Sequence, residues 1–452
     1  MKVNVAKPAA TTHEGARAYS LGPEVELQRS VTSCLLWEDS FYESGEDAAA
    51  RIKRLIPLCR PEFVAGLAIM AREQMKLRHV PLLLVREMAR LASHKHLVSV
   101  TLESVIQRAD ELTEFLAIYW REGRQPLSAQ VKKGLAKAFR KFGEHALAKY
   151  DGDGAVKLRD ALFLSHSKPK DATIKFTKVE RKSKTHDYTL TEHEALYKRV
   201  VDRTLAVPDT WEVELSGGAD KAKTFTHLML DEKLGALAFL RNLRNMHESG
   251  VDKALVGAYM DEVSFERVLP FRFIAAARAV PAWEDLIERG MLRCTAGMEK
   301  FSGHTVLLID GSGSMQSPVS ANSEITRRDA ACALAIILRE TCEDVRVIGF
   351  SDNPWDIQPR RGFALRDAIA ARVHPVGTLL GRAVRYAQQK PCDRIIVITD
   401  EQSQDAPPEP TGTGYVINVA GFWNGVGYGP WVHSDCWSES VLTYIRQYEA
   451  TL

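Results

Sequence analysis

Over the first two thirds of the chain, apolar residues recur at helical spacing. After that they gather into short unbroken runs. From Glu24 onward Leu27, Val31, Cys34 and Leu35 carry i, i+3, i+4 spacing, so a helix is expected there. The same period predicts helices over 47–56, 61–75, 78–93, 101–121, 128–141, 143–150 and 154–166, with short connections marked by Pro57, Pro61, Pro126 and Gly152. Leu82-Leu83-Leu84-Val85 is apolar nearly all round, which predicts a helix packed on both sides. More helices are expected at 189–206, 220–232, 233–248, 251–261, 270–279 and 281–290, where Pro270 suits a first turn. Residues 1–27 are polar and irregular and read as an arm. Successive helices with short turns and no strand alternation imply stacked pairs of the HEAT or armadillo kind, although no repeating consensus is visible.

From Gly303 the pattern changes to β-branched runs separated by helices. Strands are expected near 304–309, 345–350, 394–399 and 415–420, and helices near 326–342, 363–372, 379–390 and 438–448. That alternation predicts an open, doubly wound, Rossmann-like α/β sheet, whose ligands sit outside the carboxyl ends of the strands. A chain of 452 residues also exceeds what one core usually supports. The fold class read here is α plus α/β: a helical-repeat domain over 1–300 and an α/β domain over 301–452.

The second domain opens on His304-Thr-Val-Leu-Leu-Ile-Asp310-Gly-Ser312-Gly-Ser314-Met315. Asp310, Ser312 and Ser314 place a carboxylate and two hydroxyls on alternate residues of a loop after a buried strand. Hard oxygen donors with little charge suit a magnesium ion that keeps some of its waters. Thr378, in Val376-Gly377-Thr378, and Asp400, at the end of the run from Arg394 to Thr399, extend the set. Asp-x-Ser-x-Ser followed by Thr and then a strand-end Asp resembles the metal-ion-dependent adhesion site of von Willebrand factor A domains. Mg²⁺, or another divalent cation such as Mn²⁺, is the cofactor expected there. The plain alternative is a polar βα loop without metal. A dinucleotide fingerprint, a P-loop and a hydrolase elbow all fail on spacing. Leu379 stands where many metal-binding A domains carry a polar residue.

Composition and charge change the picture at one place. No run approaches 18 uncharged apolar residues, so no membrane span is expected, and the start of the chain lacks a signal-peptide core. The seven cysteines are odd in number, scattered and without Cys-x-x-Cys, which fits reduced thiols in a cytoplasmic protein. Net charge is only +2, but residues 51–200 hold 30 basic against 17 acidic side chains. A concentrated positive field favours a polyanion. The richest stretch runs through His166, Lys168, Lys170, Lys175, Phe176, Lys178, Arg181 and Lys182 and reads as a long exposed loop. Its lysines suit phosphates, and Phe176 or His166 suits base stacking. A second candidate surface is Arg78, Arg86 and Arg90, the last two four residues apart on one helix face. Arg241 and Arg244 form a third. For any one helix the plain alternative is a solvated face.

Several stretches together resemble the TROVE-domain proteins, the Ro autoantigen and its bacterial orthologues. They are Gln130-Val-Lys-Lys-Gly-Leu-Ala-Lys-Ala-Phe139, Leu147-Ala-Lys-Tyr150-Asp151, the segment from Leu158 through His166 to Pro169, Ala238-Phe-Leu-Arg241-Asn-Leu-Arg-Asn-Met246, the Asp310 loop, and Tyr415-Val-Ile-Asn-Val-Ala420 through Gly425-Val-Gly-Tyr428-Gly429. The resemblance implies a ring of HEAT-like repeats closed by the A domain. It also implies small non-coding Y-like RNA on the outer ring surface and single-stranded 3′ ends of defective RNA in the central hole. The element from His166 to Lys170 then falls on the family's basic outer surface. The function expected is a non-catalytic, monomeric RNA scaffold in quality control or processing, with an exoribonuclease or RNA-repair proteins as partners. The rival from another class is a metal-dependent protein-adhesion module with no specific RNA role. A nuclease is the weakest reading, because a single low-charge site lacks the carboxylates of a two-metal centre.

Overall fold

The computed structural model describes residues 11–12, 14–16, 22–32, 44–152, 154–171, 190–207, 211–266, 268, 270–321, 323–372, 377–420, 429–434 and 440–450. Two compact units are present: residues 53–214, and residues 1–52 together with 215–452. The boundary expected near residue 300 therefore falls inside a unit. Helix Phe271–Ala279 packs on helix Arg327–Thr341, and helix Glu284–Arg293 packs on helix Gly362–Ala370. Ion pairs reinforce this joint: Arg278 forks onto Asp329, and Arg366 reaches Glu284 at 2.6 Å.

Among its described residues the unit of residues 53–214 holds helices and no strand. Helix Pro61–Glu73 packs on both His79–Arg90 and Val98–Val105, Val98–Val105 on Ala129–Phe139, and Ala129–Phe139 on Leu158–Ser165. Packing between alternate helices thus recurs along the unit, as stacked helical pairs require. Leu82, Leu83, Leu84 and Val85 are all fully buried, as an apolar circumference demands. Gly134 permits the closest approach, since a Cβ there would lie 2.9 Å from the Leu102 Cβ and 3.0 Å from the Ser99 carbonyl. The single helix expected over 101–121 is two, Val98–Val105 and Asp110–Tyr119. Buried Glu111 makes the break: its carboxylate accepts the Gln107 and Arg108 N–H groups at 2.7 and 3.0 Å and pairs with Arg72 at 2.7 Å. A carboxylate that satisfies N–H groups in the connection between two helices stabilises that connection.

In the other unit six strands form one sheet: β1 (Phe301–Asp310), β2 (Cys342–Phe350), β3 (Pro354–Asp356), β4 (Arg394–Thr399), β5 (Thr413–Asn418) and β6 (Val432–Ser434). Their order is β3-β2-β1-β4-β5-β6, and every pairing is parallel except β2 with β3. Val306, Leu308, Ile348, Ile395 and Val397 pack against Leu380, Val384 and Ala387 of helix Leu380–Ala387. Alternation turns Leu307, Ile309, Ile396 and Ile398 to the opposite face, where they too are fully buried. Both faces are therefore covered, which is why these strands read as unbroken apolar runs. Thr326 starts helix Arg327–Thr341 with a capping box, its hydroxyl accepting the Asp329 N–H while the Asp329 carboxylate accepts the Thr326 N–H. Among the described residues no helix is long and apolar enough to cross a membrane.

Candidate metal centre and nucleic-acid interface

Strand register assembles the oxygen cluster. Thr305 to Ile309 of β1 lie opposite Arg394 to Ile398 of β4, so Asp310 and Thr399-Asp400 leave the sheet side by side at its carboxyl end. The chain runs from β1 to β2 on one side and β4 lies on the other, which makes this crevice the topological switch point. Asp310 and Asp400 are fully buried, and Ser312 and Thr378 are 3% exposed. The Ser312 N–H donates to Asp310 Oδ1 at 2.9 Å, and the Thr399 hydroxyl donates to Asp310 Oδ2 at 2.6 Å. Ser314 Oγ lies 3.2 Å from Ser312 Oγ and donates to Asp400 Oδ2 at 2.6 Å. Thr378 is fixed through its carbonyl, which accepts the Ser403 hydroxyl at 3.0 Å and the Gln404 N–H at 2.8 Å.

Two buried carboxylates side by side are costly unless a cation or a proton joins them. Burial, and then the charge of Asp400, push the Asp310 carboxyl up to about 7. Two carboxylates and hydroxyl donors on one rim fit a hard divalent cation. They do not fit a soft one, because none of Asp310, Ser312, Ser314, Thr378 and Asp400 brings a thiolate or imidazole. The sequence reading missed two neighbours. Thr399 anchors the Asp310 carboxylate. Buried Arg327, at the start of its helix, brings Nη1 within 3.4 Å of Asp400 Oδ2. Both partnerships cross more than seventy residues, so only the strand register reveals them.

The basic candidates separate into three groups. Arg86 is corrected: it is 1% exposed, with its guanidinium on Glu87 at 2.5 Å and Glu122 at 3.0 Å, so burial keeps it from a phosphate. Arg90 meets the same Glu122 at 2.9 Å, and Arg78 is paired with Asp110 and Glu114. Glu87 on the same helix, Asp110 and Glu114 on helix Asp110–Tyr119, and Glu122 in the turn after it thus neutralise the face that helical spacing alone made look free. Lys175, Phe176, Lys178, Arg181 and Lys182 lie outside the described residues. His166, Lys168 and Lys170 are exposed.

His166 ends helix Leu158–Ser165 in a left-handed conformation (φ 54°), which turns the chain back across helix Ala129–Phe139. The Ser167 hydroxyl donates to the Ala136 carbonyl at 3.1 Å, and Arg140 Nε donates to the Lys168 carbonyl at 2.9 Å. Lys132, Ala136 and Arg140 share one face of that helix at four-residue spacing. The element from His166 to Lys170 is therefore seated on a second basic stripe, which the sequence reading quoted only as part of a family match. Among the described residues none of Lys132, Lys133, Lys168 and Lys170 has an acidic partner. Phe163, 57% exposed, stands three residues before His166. Lysines without acidic partners beside an exposed ring suit phosphate contact and base stacking.

Two family models match the chain: the TROVE domain over residues 198–295 and the Ro60 vWA domain over residues 304–412. Among solved structures, the crystal structure of the Deinococcus radiodurans RO (RSR) protein aligns with a TM-score of 0.60 at 18% identity, over 95% of this chain and 100% of that one. At that identity the likeness speaks for the fold. No curated protein sequence matches the chain.

Proposed function

We propose, for a chain that carries a TROVE domain followed by a Ro60-type von Willebrand factor A domain, a non-catalytic RNA-binding scaffold acting in RNA quality control or processing. The observation that carries this reading is that Lys132 and Lys133, on helix Ala129–Phe139, and Lys168 and Lys170, on the element that packs against it, are exposed or half-exposed and, among the described residues, free of acidic partners, with His166 and Phe163 exposed on the same segment. Those lysines neutralise phosphates of a small structured RNA, and the rings stack on an unpaired base. The family resemblance extends the proposal to single-stranded 3′ ends taken through a central hole, and to an exoribonuclease or repair partner. Sequence preference is weak, because shape and an accessible end are read rather than base edges.

At the A domain, Asp310, Ser312, Ser314, Thr378 and Asp400 hold Mg²⁺ or Mn²⁺ directly or through water. Held there, the cation would supply a hard Lewis-acid centre for an acidic side chain of a protein partner. The chain's own part is to keep both carboxylates dry and to fix their rotamers through Thr399, Ser312 and Ser314.

The test is purification from the native host at low salt with sequencing of bound RNA, beside a variant with Lys132, Lys133, Lys168 and Lys170 changed to glutamine. A discrete structured RNA lost in the variant supports the proposal. Four phosphate contacts give a log affinity against log salt slope of about −3 to −4. A flat slope, or no RNA with the wild type, overturns it in favour of a metal-dependent adhesion module.

A further inference from the structure

We infer that the N-terminal segment is a clasp that holds the Asp400 loop in its metal-binding geometry, through Arg29 on Glu401 and Thr12 on Ser403. The inference rests on the metal reading for its consequence, but not for its geometry. Glu401 directly follows Asp400, is fully buried, and has φ 58°, a left-handed backbone that side chains other than glycine seldom adopt. Such a residue persists only where its surroundings over-determine it. Four contacts do so here. Arg29 Nη2 donates to Glu401 Oε2 at 2.6 Å and Asn418 Nδ2 to the same oxygen at 2.9 Å. His433 Nδ1 lies 3.2 Å from Oε1, and the Glu401 N–H donates to Thr399 Oγ1 at 3.1 Å.

Arg29 is itself 1% exposed and stands on helix Pro23–Thr32, whose Leu27 and Val31 are fully buried. Arg51 Nε steadies that helix by donating to Ser30 Oγ at 2.8 Å. The second anchor lies earlier in the chain. The Thr12 hydroxyl donates to the Ser403 carbonyl at 2.8 Å, and the turn from Thr12 to Ala16 closes on itself at 2.8 and 3.0 Å. Ala16 joins the core over the sheet. The two anchors therefore bracket residues 401–403. On one side of that stretch is Asp400. On the other, the Ser403 hydroxyl holds the Thr378 carbonyl at 3.0 Å and accepts the Leu380 N–H at 3.0 Å.

A buried ion pair broken from one side leaves an uncompensated charge, which the remaining structure relieves by moving. With Arg29 gone, Glu401 swings toward water, its left-handed backbone relaxes, and Asp400 and Thr378 lose register together. Arg29, Thr12 and Glu401 are thus positioning residues for the metal centre. A partner or RNA that draws the arm away also loosens the ion.

The experiment uses the full chain as wild type, Arg29→Gln, Thr12→Val and, as a control on a distant edge ion pair, Arg346→Gln. Two readouts are taken on each: hydrogen exchange of the Glu401 and Gln404 amides, and calorimetric titration with Mg²⁺ alone. In folded Arg29→Gln both amides exchange about tenfold faster or more, and Mg²⁺ binds about tenfold more weakly. Thr12→Val shows a smaller change, centred on Gln404, and Arg346→Gln shows neither. Unchanged exchange in a folded Arg29→Gln overturns the clasp. If Arg29→Gln does not fold, Thr12→Val decides it, and wild-type exchange there overturns it equally. If the wild type binds no Mg²⁺, the metal reading fails and exchange alone judges the clasp.

Discussion

Replacing Asp310 with asparagine is expected to stabilise the A domain near pH 8 without divalent cations, and to abolish its response to them. Asp310 is fully buried, and burial together with Asp400 raises its carboxyl from 3.8 to about 7. At about 1.4 kcal/mol per pH unit, ionising it in the fold is disfavoured by at most about 4 kcal/mol. The folded state holds the proton more tightly than the unfolded chain, so stability falls as pH rises from 3.8 towards about 7 and levels off above. Asparagine removes the charge and keeps the shape. Its oxygen still accepts the Ser312 N–H, but Thr399, which donates to Oδ2 at 2.6 Å, must turn its hydroxyl to accept instead. That rearrangement costs about 1 kcal/mol, which leaves a net gain of about 1–3 kcal/mol. Native-state hydrogen exchange at Leu307, Leu308, Ile396 and Ile398 measures it as slower opening of the sheet. Added Mg²⁺ then stabilises the wild type and not the variant. The reasoning is refuted if Asp310→Asn opens more readily than wild type near pH 8, or if wild-type protection is flat between about pH 5 and 8.

Three further outcomes follow from the packing. Glu111→Ala strands buried Arg72 and the N–H groups of Gln107 and Arg108, so the unit of residues 53–214 should lose about 4–6 kcal/mol. A loss below about 1 kcal/mol by exchange at Leu102 and Leu116 contradicts this. Gly349→Ala places a Cβ 2.4 Å from the Trp355 ring, and destabilisation of about 1–3 kcal/mol with a displaced Trp355 indole NMR signal is expected. Glu122, held by Lys53, Arg90 and Arg86, has its carboxyl lowered to about 2. Its pairs stabilise the fold above 4.5 and lose that contribution as pH falls towards about 2. Because Glu122 is about half exposed, added salt weakens the effect, and an NMR titration midpoint above about 4 would contradict it.

Period and loop chemistry made the A domain legible. Runs of Val, Ile and Leu can be buried on both faces only in a parallel sheet, and Asp310-x-Ser-x-Ser could stand only at the carboxyl end of such a strand. β3 and β6, three residues each, are too short for any period to register. The basic face of helix His79–Arg90 was misread for a different reason. Helical spacing says which residues share a face, but not that Glu122, thirty-two residues beyond Arg90, folds back onto it. The expected helix over 101–121 failed because Glu111 forms a better contact with Arg72 and the Gln107 and Arg108 amides than a continuous helix allows.

The charge surplus of residues 51–200 gains its meaning only after folding. Arg72, Arg78, Arg86, Arg90, Lys137 and Arg199 are each tied to a carboxylate, Arg72 and Arg86 with little exposure, so an incoming phosphate competes there with an acidic partner. Among the described residues without an acidic partner are Lys132, Lys133, Lys168 and Lys170, where helix Leu158–Ser165 ends at left-handed His166 and the chain crosses helix Ala129–Phe139. A polyanion binding there meets cations that need not leave an acidic partner first, so the full electrostatic gain goes into association. The A domain shows the opposite arrangement. Two buried carboxylates and a buried arginine are brought together at the sheet's switch point. Among the described residues the chain thus carries lysines without acidic partners on one unit, and on the other two buried carboxylates whose loop Arg29 reaches through Glu401.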